Sequence, residues 1–186
     1  MAIGILAMAA IGIVMTRPGL APAQFFPLYQ LHKSVGITIL LAAILRILWR
    51  LTHRPPGLPA DMPAVEKLAA HAGHFGLYAL MLALPLTGWA LVSASVLHIP
   101  TFLYGAIPWP DLPILSALHD KAPAEAALKA IHATGAFALI ALVCLHAAAA
   151  LRHHFIVRDD VLTRMLPWPQ HPARRPKNSK IEEQRS

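Results

Sequence analysis

His132 and His146 are the residues of this chain whose type and spacing could do chemistry. They lie in Ile131–His154, an almost uninterrupted apolar run long enough to cross a bilayer. Their fourteen-residue separation corresponds to about 21 Å along an α-helix and returns to within about 40° of the same face. Ionisable side chains inside a membrane span are costly, which makes them functional candidates by default. Two imidazoles on one stripe, one near each membrane surface, point to axial ligation of two stacked haems. Gly135 and Ala136 follow His132, and Ala147–Ala150 follow His146. Small residues beside a ligand leave room for a flat macrocycle, and they equally let helices pack closely.

Composition says what must position these residues. Of the 186 residues, 56% are hydrophobic and 13% charged, a balance of the membrane class rather than the soluble one. The net charge of +7 sits in loops and tail between long apolar runs, so it reads as a membrane-surface charge and not as a nucleic-acid footprint. Cys144 is the single cysteine, in mid-helix. It excludes a disulfide framework and a C-x-x-C-H attachment site, so any haem is non-covalent. As a residue it reads as a small buried hydrophobe.

Taken in order, the chain predicts four transmembrane helices. Ala2–Met15 is apolar and closed by Arg17-Pro18. A span needs about 20 residues, so this run predicts a first helix whose leading turn is absent from the sequence. A signal peptide is the competing reading, because Ala21-Pro22-Ala23 resembles a cleavage site, but the basic leading segment is missing. Gly19–Gln30, with Pro22 and Pro27, predicts a short aromatic loop at the interface. Leu31–Leu51 predicts the second helix, with His32 at its start, Gly36 one turn on, and Arg46, Trp49 and Arg50 at its far end. The two arginines read as snorkelling to headgroups or pairing with haem propionates. Thr52–Leu68 is a proline-rich connection. Ala69–Ala94 predicts the third helix, carrying His71 and His74 and a kink at Pro85. Ser95–Pro123 predicts an interfacial loop with a short helix at Ile114–Leu118. The fourth helix is expected from about Ala124 to His154, followed by a basic tail.

Lysines and arginines divide unequally between the two ends. Arg17, Lys33, Lys121 and Lys129 fall on one side; Arg46, Arg50, Arg54, Lys67 and eight more from Arg152 to Arg185 fall on the other. The positive-inside rule makes the second side cytoplasmic, with both termini there. His32 and His132 then share the periplasmic depth, as a bis-imidazole haem requires. His146 lies toward the cytoplasmic face with His71 and His74. Its natural partner would come from helix one, which offers no histidine. His71 and His74, three apart on one face, are candidates for a quinone site or a substitute ligand. His53, His153 and His154 read as headgroup-level residues, and His98, His119 and His171 as ordinary loop or tail residues.

H-K-S-V-G-I opening helix two, H-A-G-H-F-G-L-Y opening helix three, I-H-A-T-G-A-F and L-H-A-A-A-A-L-x-H-H-F in helix four, and R-M-L-P at Arg164–Pro167 together resemble the bacterial cytochrome b561 family. The resemblance covers about residues 1–168, leaving 169–186 as a basic cytoplasmic tail expected to be disordered. It implies an all-α, up-and-down transmembrane four-helix bundle in the bacterial inner membrane, related to the cytochrome b subunits of nickel–iron hydrogenases. It implies two haems b and electron transfer with ubiquinone; a member of the family oxidises superoxide at the periplasmic face. Carried over, His32 and His132 would ligate one haem and His146 the other, with Gly36, Gly135, Arg46 and Arg50 near haem. The family's fourth ligand is a histidine at the start of helix one. The sequence departs from the pattern there, and the expectation is that an upstream in-frame extension supplies it.

The leading reading is thus a haem b electron carrier passing electrons to ubiquinone, with superoxide:ubiquinone oxidoreductase activity if the family activity is retained. Membrane lipids, a quinone, an unidentified electron donor and a second copy of the chain are the expected partners. Lys33, Lys121 and Lys129 could steer an anion to the periplasmic haem, opposed by Asp111, Asp120 and Glu125. Two other readings are a cytochrome b anchor subunit docking a hydrogenase- or dehydrogenase-type partner, and a non-haem, histidine-lined transporter. The transporter needs polar residues between His132 and His146, where Thr134 and Cys144 are the ones available.

Overall fold

The structure, a computed structural model, describes residues 2–53, 62–159 and 162. Arg54, Pro55, Pro56, Pro59, Arg164–Pro167 and residues 169–186 lie outside the described residues. The chain forms two compact units, Met1–Cys144 and Leu145–Ser186.

The helices are α1 (Ala2–Met15), α2 (Pro22–Thr52), α3 (Ala64–Ser93), a single turn α4 (Pro113–Ser116) and α5 (Ala122–Arg152), which continues as a π-helical turn over His153–Val157. Three stretches, Pro22–Thr52, Ala64–Ser93 and Ala122–Val157, are long and apolar enough to cross a membrane, and Gly4–Met15 is a shorter apolar helix. The protein is an all-α membrane bundle with one small hairpin. Leu45, Phe75 and Phe137 are more than two-thirds exposed, as suits side chains whose solvent is lipid. Cys144, expected buried, is exposed on α5; a thiol on a lipid-facing surface needs no polar partner.

In the first unit the helices pack through glycines. Gly4 of α1 meets Ile39 of α2, while Gly12 meets His32, so residue numbers rise on one helix as they fall on the other. The same antiparallel relation links Gly76 with Leu142 and Gly88 with His132 between α3 and α5. Ile37, Leu40 and Ala43 of α2, Met81 of α3 and Leu139 of α5 are buried. Hydroxyls inside the spans bond back to their own helix, Thr38 to the Ser34 carbonyl and Thr87 to the Leu84 carbonyl, both at 2.9 Å. That leaves neither hydroxyl unpaired in an apolar setting.

Two expectations are corrected. The loop expected over Gly19–Gln30 is mostly helix, because α2 begins at Pro22. Proline at the first helical position lacks an N–H that would have no partner there, and its φ is already helical. Pro27 in the second turn costs only the bond to the Ala23 carbonyl. The loop Ser95–Pro123 holds an antiparallel hairpin, β1 (Thr101–Leu103) with β2 (Ile107–Trp109), in the register Thr101↔Trp109 and Leu103↔Ile107. Its turn places Tyr104 (φ 52) and Gly105 (φ 74) in the left-handed region. The short helix expected at Ile114–Leu118 is α4, one residue earlier at its start and shorter.

The loop that carries the hairpin is tied to all three long helices. Lys33 Nζ donates to the Pro100 carbonyl at 3.0 Å, and Gln30 Nε2 to the same oxygen at 2.9 Å. Ser34 Oγ donates to the Gln30 carbonyl at 2.8 Å and accepts from the Tyr104 N–H at 2.9 Å. On α3, Trp89 Nε1 donates to the Pro110 carbonyl, and Ser93 Oγ accepts from the Leu112 N–H. On α5, the Glu125 carboxylate accepts from the Val96 N–H at 2.8 Å.

Candidate functional site

His32 lies in the third turn of α2, and His132 in the third turn of α5. Their rings meet across the bundle with centroids 6.2 Å apart and planes at 76°. Each ring has a glycine of a neighbouring helix against it. A Cβ on Gly12 of α1 would stand 3.4 Å from His32 Cε1, and one on Gly88 of α3 would stand 3.1 Å from His132 Cε1. The second distance is tighter than ordinary side-chain packing allows, so Gly88 is what lets α3 approach the imidazole.

The orientation of His132 is set by Thr87. Thr87 Oγ1 lies 3.1 Å from His132 Nδ1 and spends its own hydrogen on the Leu84 carbonyl at 2.9 Å. With that hydrogen committed, the hydroxyl accepts from His132, which assigns the proton to Nδ1 and leaves the lone pair on Nε2. His32 has no such partner. Its Nδ1 and Trp109 Nε1 are the buried side-chain polar atoms among the described residues without a hydrogen bond. An unmet buried polar atom costs about 1–3 kcal/mol, which a ligand can relieve.

These two residues suit a metal held between them. Metal–imidazole bonds of about 2 Å, with about 1 Å from each nitrogen to its ring centre, put two rings on one metal about 6 Å apart. The observed centroid distance is 6.2 Å. Among the described residues no three His, Cys, Asp or Glu side chains gather to hold a bare ion. Two facing imidazoles are instead the donor set that a haem iron would take from a protein.

The other residues singled out from the sequence are placed as follows. A Cβ on Gly36 would stand 3.5 Å from the Met8 methyl and one on Gly135 would stand 2.9 Å from Leu84 Cδ2, so both glycines lie in helix–helix contacts. Arg46 Nε and Arg50 Nη1 each donate to the Tyr78 hydroxyl at 3.1 Å. His71 is exposed, its Nδ1 2.7 Å from the Lys67 carbonyl, and His74 is half-buried one turn on. Both lie more than three turns from Thr87 along α3, so they do not join the His32–His132 pair. His146 is half-buried on α5 and belongs to the second unit.

Two readings of individual residues change. Lys33, offered above as a steering cation, is buried and holds the Pro100 and Ile99 carbonyls. His153, expected at headgroup level, is also buried; its Nδ1 lies 2.6 Å from the Asp159 carboxylate across the π-helical turn. Thr87, Gly88, Gly12 and Tyr78 were not singled out. Gly12 and Gly88 had a signal, a glycine inside an apolar run, which marks close approach of another group.

A helical membrane bundle with a facing histidine pair and a glycine beside each ring has the architecture of a membrane-embedded b-type cytochrome. The chain belongs to the prokaryotic cytochrome b561 family, whose model matches residues 1–168. It is 35% identical over 166 residues to cytochrome b561 homolog 2 of Escherichia coli (strain K12), covering 89% of this chain and 84% of that protein. It is 34% identical over 153 residues to the probable superoxide oxidase CybB of Yersinia pestis, covering 80% and 81%. Cytochrome b561 homolog 1 of Escherichia coli (strain K12) is 30% identical over 138 residues, covering 74% of each. The protein is accordingly a multi-pass membrane protein that binds haem b and transfers electrons.

Proposed function

We propose that this chain takes electrons from superoxide at one membrane face and delivers them to a membrane quinone, in the bacterial inner membrane with both termini cytoplasmic. His32 and His132 are the axial ligands of one haem b, and His146 is a ligand of a second. The single observation that carries the ligand assignment is the His32–His132 pair, 6.2 Å apart with the orphaned Nδ1 on His32. The superoxide reading is supported by the similarity to the probable superoxide oxidase of Yersinia pestis. When bound, haem supplies reversible one-electron chemistry at iron. The protein holds the imidazoles: Thr87 fixes the tautomer of His132, and Gly12 and Gly88 let α1 and α3 pack against the rings. The balance is two superoxide ions oxidised to two dioxygen molecules for each quinone reduced, with two protons taken up to form the quinol.

The Lys/Arg asymmetry of four against twelve supports the orientation. Because Lys33 is consumed in binding the hairpin, anion attraction at the His32 end falls to Lys121 and Lys129. The test has two parts. Purified protein should show a low-spin b-type spectrum, and His32→Ala and His132→Ala should each lose about half the haem. Full haem in both variants would sink the ligand assignment. Superoxide generated enzymatically should drive quinone reduction by the wild type at a rate that catalytic dismutation of superoxide abolishes. Reduction that persists under dismutation would sink the donor assignment.

A further inference from the structure

At the opposite end of α2 from His32, two guanidinium groups point at one phenol. Arg46 Nε and Arg50 Nη1 each lie 3.1 Å from the Tyr78 hydroxyl, and the Arg50 guanidinium also sits 5.3 Å from the Tyr78 ring centre. Two donors on one oxygen place their nitrogens within about 6 Å of each other, where like charges repel and the repulsion grows as water is excluded. Among the described residues no carboxylate pairs with either arginine. The chemistry of the cluster is also one-sided. The phenol oxygen has both acceptor positions taken by N–H donors, so its own hydrogen is left to donate. The remaining guanidinium nitrogens are donors too. Three side chains thus present donors only, with two positive charges and no acceptor. What completes such a set is an oxyanion with several acceptor oxygens.

The depth says which oxyanion. Arg46 is fourteen residues past His32, about 21 Å along the helix, and Arg50 sits in the last turn before α2 ends at Thr52. Trp49 lies between them, 65% exposed, and stacks on His53 at 3.7 Å. An exposed tryptophan at a helix end marks the level of lipid headgroups. We propose that Arg46, Arg50 and Tyr78 form a site for the phosphate of one anionic phospholipid. The site joins α2 to α3 and makes the lipid a structural component of the bundle. It is independent of the electron donor and of the haem ligand assignment.

The probes are phosphatidylglycerol, phosphatidylcholine and inorganic phosphate, titrated into full-length, haem-loaded protein in mild detergent and read by native mass spectrometry. One phosphatidylglycerol should stay bound, with phosphatidylcholine held more weakly because its own cation faces the arginines. Arg46→Gln with Arg50→Gln should weaken retention about tenfold or more while haem content, read from the absorption spectrum, is unchanged. Tyr78→Phe should weaken it less and leave haem intact. Wild-type protein that retains phosphatidylglycerol no better than phosphatidylcholine would overturn the proposal, and this arm needs no variant to fold. Displacement of the lipid by inorganic phosphate at equal concentration would assign the site to a free anion instead. A double variant that keeps its lipid and loses haem would assign the arginines to a haem propionate, which equally overturns the lipid site.

Discussion

The His32 and His132 imidazoles face each other with their planes at 76°, close to perpendicular. Each ring is set by a different constraint, Gly88 and Thr87 for His132 and Gly12 for His32. Ring planes at right angles on one iron would leave the two d-orbitals that take up imidazole π-donation nearly degenerate, and rings held parallel would not. The ferric protein should therefore show a strongly anisotropic low-spin electron paramagnetic resonance signal for this centre. His132→Ala should remove it. A wild-type spectrum containing only the rhombic signal of parallel imidazoles would show that the rings turn when haem binds.

Thr87 gives a second prediction. An acceptor on the far nitrogen of a metal-bound imidazole makes the ring a stronger electron donor and favours the oxidised metal. Thr87→Val keeps the shape and removes the acceptor. One haem should then become easier to reduce, its midpoint potential rising by about 40 mV for a net hydrogen bond of about 1 kcal/mol. Redox titration monitored in the visible bands checks this. A fall in potential, or no change, would show that Thr87 does not act on a haem ligand.

The two glycines against the imidazoles are not equivalent. A methyl on Gly12 would make ordinary contact with His32, whereas one on Gly88 would crowd His132 Cε1 at 3.1 Å. His132 cannot retreat without stretching its bond to Thr87. Gly88→Ala should cost about 1–3 kcal/mol, as overpacking does, and lower haem retention on heating. Gly12→Ala should be neutral or slightly stabilising, since alanine suits a helix interior better by about 1 kcal/mol. Thermal release of haem from the two variants, followed by absorbance, separates them. Equal behaviour would show that α3 does not press on the ring.

The helices were legible because apolar runs of span length need no partner to reveal them, and the histidines stood out as ionisable groups inside those runs. What sets the histidines in place was not legible. Thr87 lies 45 residues from His132 in sequence, and nothing local marks its hydroxyl as an imidazole partner. Tyr78 reads as one more aromatic until α2 brings two arginines to it. Pro22 and Pro27 read as loop residues because proline usually breaks helices, yet the first turn is where it costs least. The hairpin strands are three residues each, below the length at which alternation shows. The one local signal was Gly105, a residue type free to take up positive φ in a tight turn.

That hairpin supplies the last prediction. Ser34 is fully buried, and its single hydroxyl does two jobs, donating to the Gln30 carbonyl and accepting from the Tyr104 N–H. Lys33 beside it holds the strand entry through the Pro100 carbonyl. His32, preceding both, looks into the bundle at His132. Three consecutive residues thus serve two structures, and the helix itself separates their roles. Ser34→Ala takes away the acceptor of the Tyr104 N–H, a loss of about 1 kcal/mol for one net hydrogen bond. Local opening at the turn should become about fivefold more frequent, read as faster hydrogen exchange at Phe102–Gly105. The haem spectrum should not change, because the hydroxyl lies on a different face of α2 from the imidazole. Unchanged exchange would show that the hairpin is held by Trp89 and Glu125 rather than by α2, and altered haem bands would show that hairpin and histidine pair are coupled.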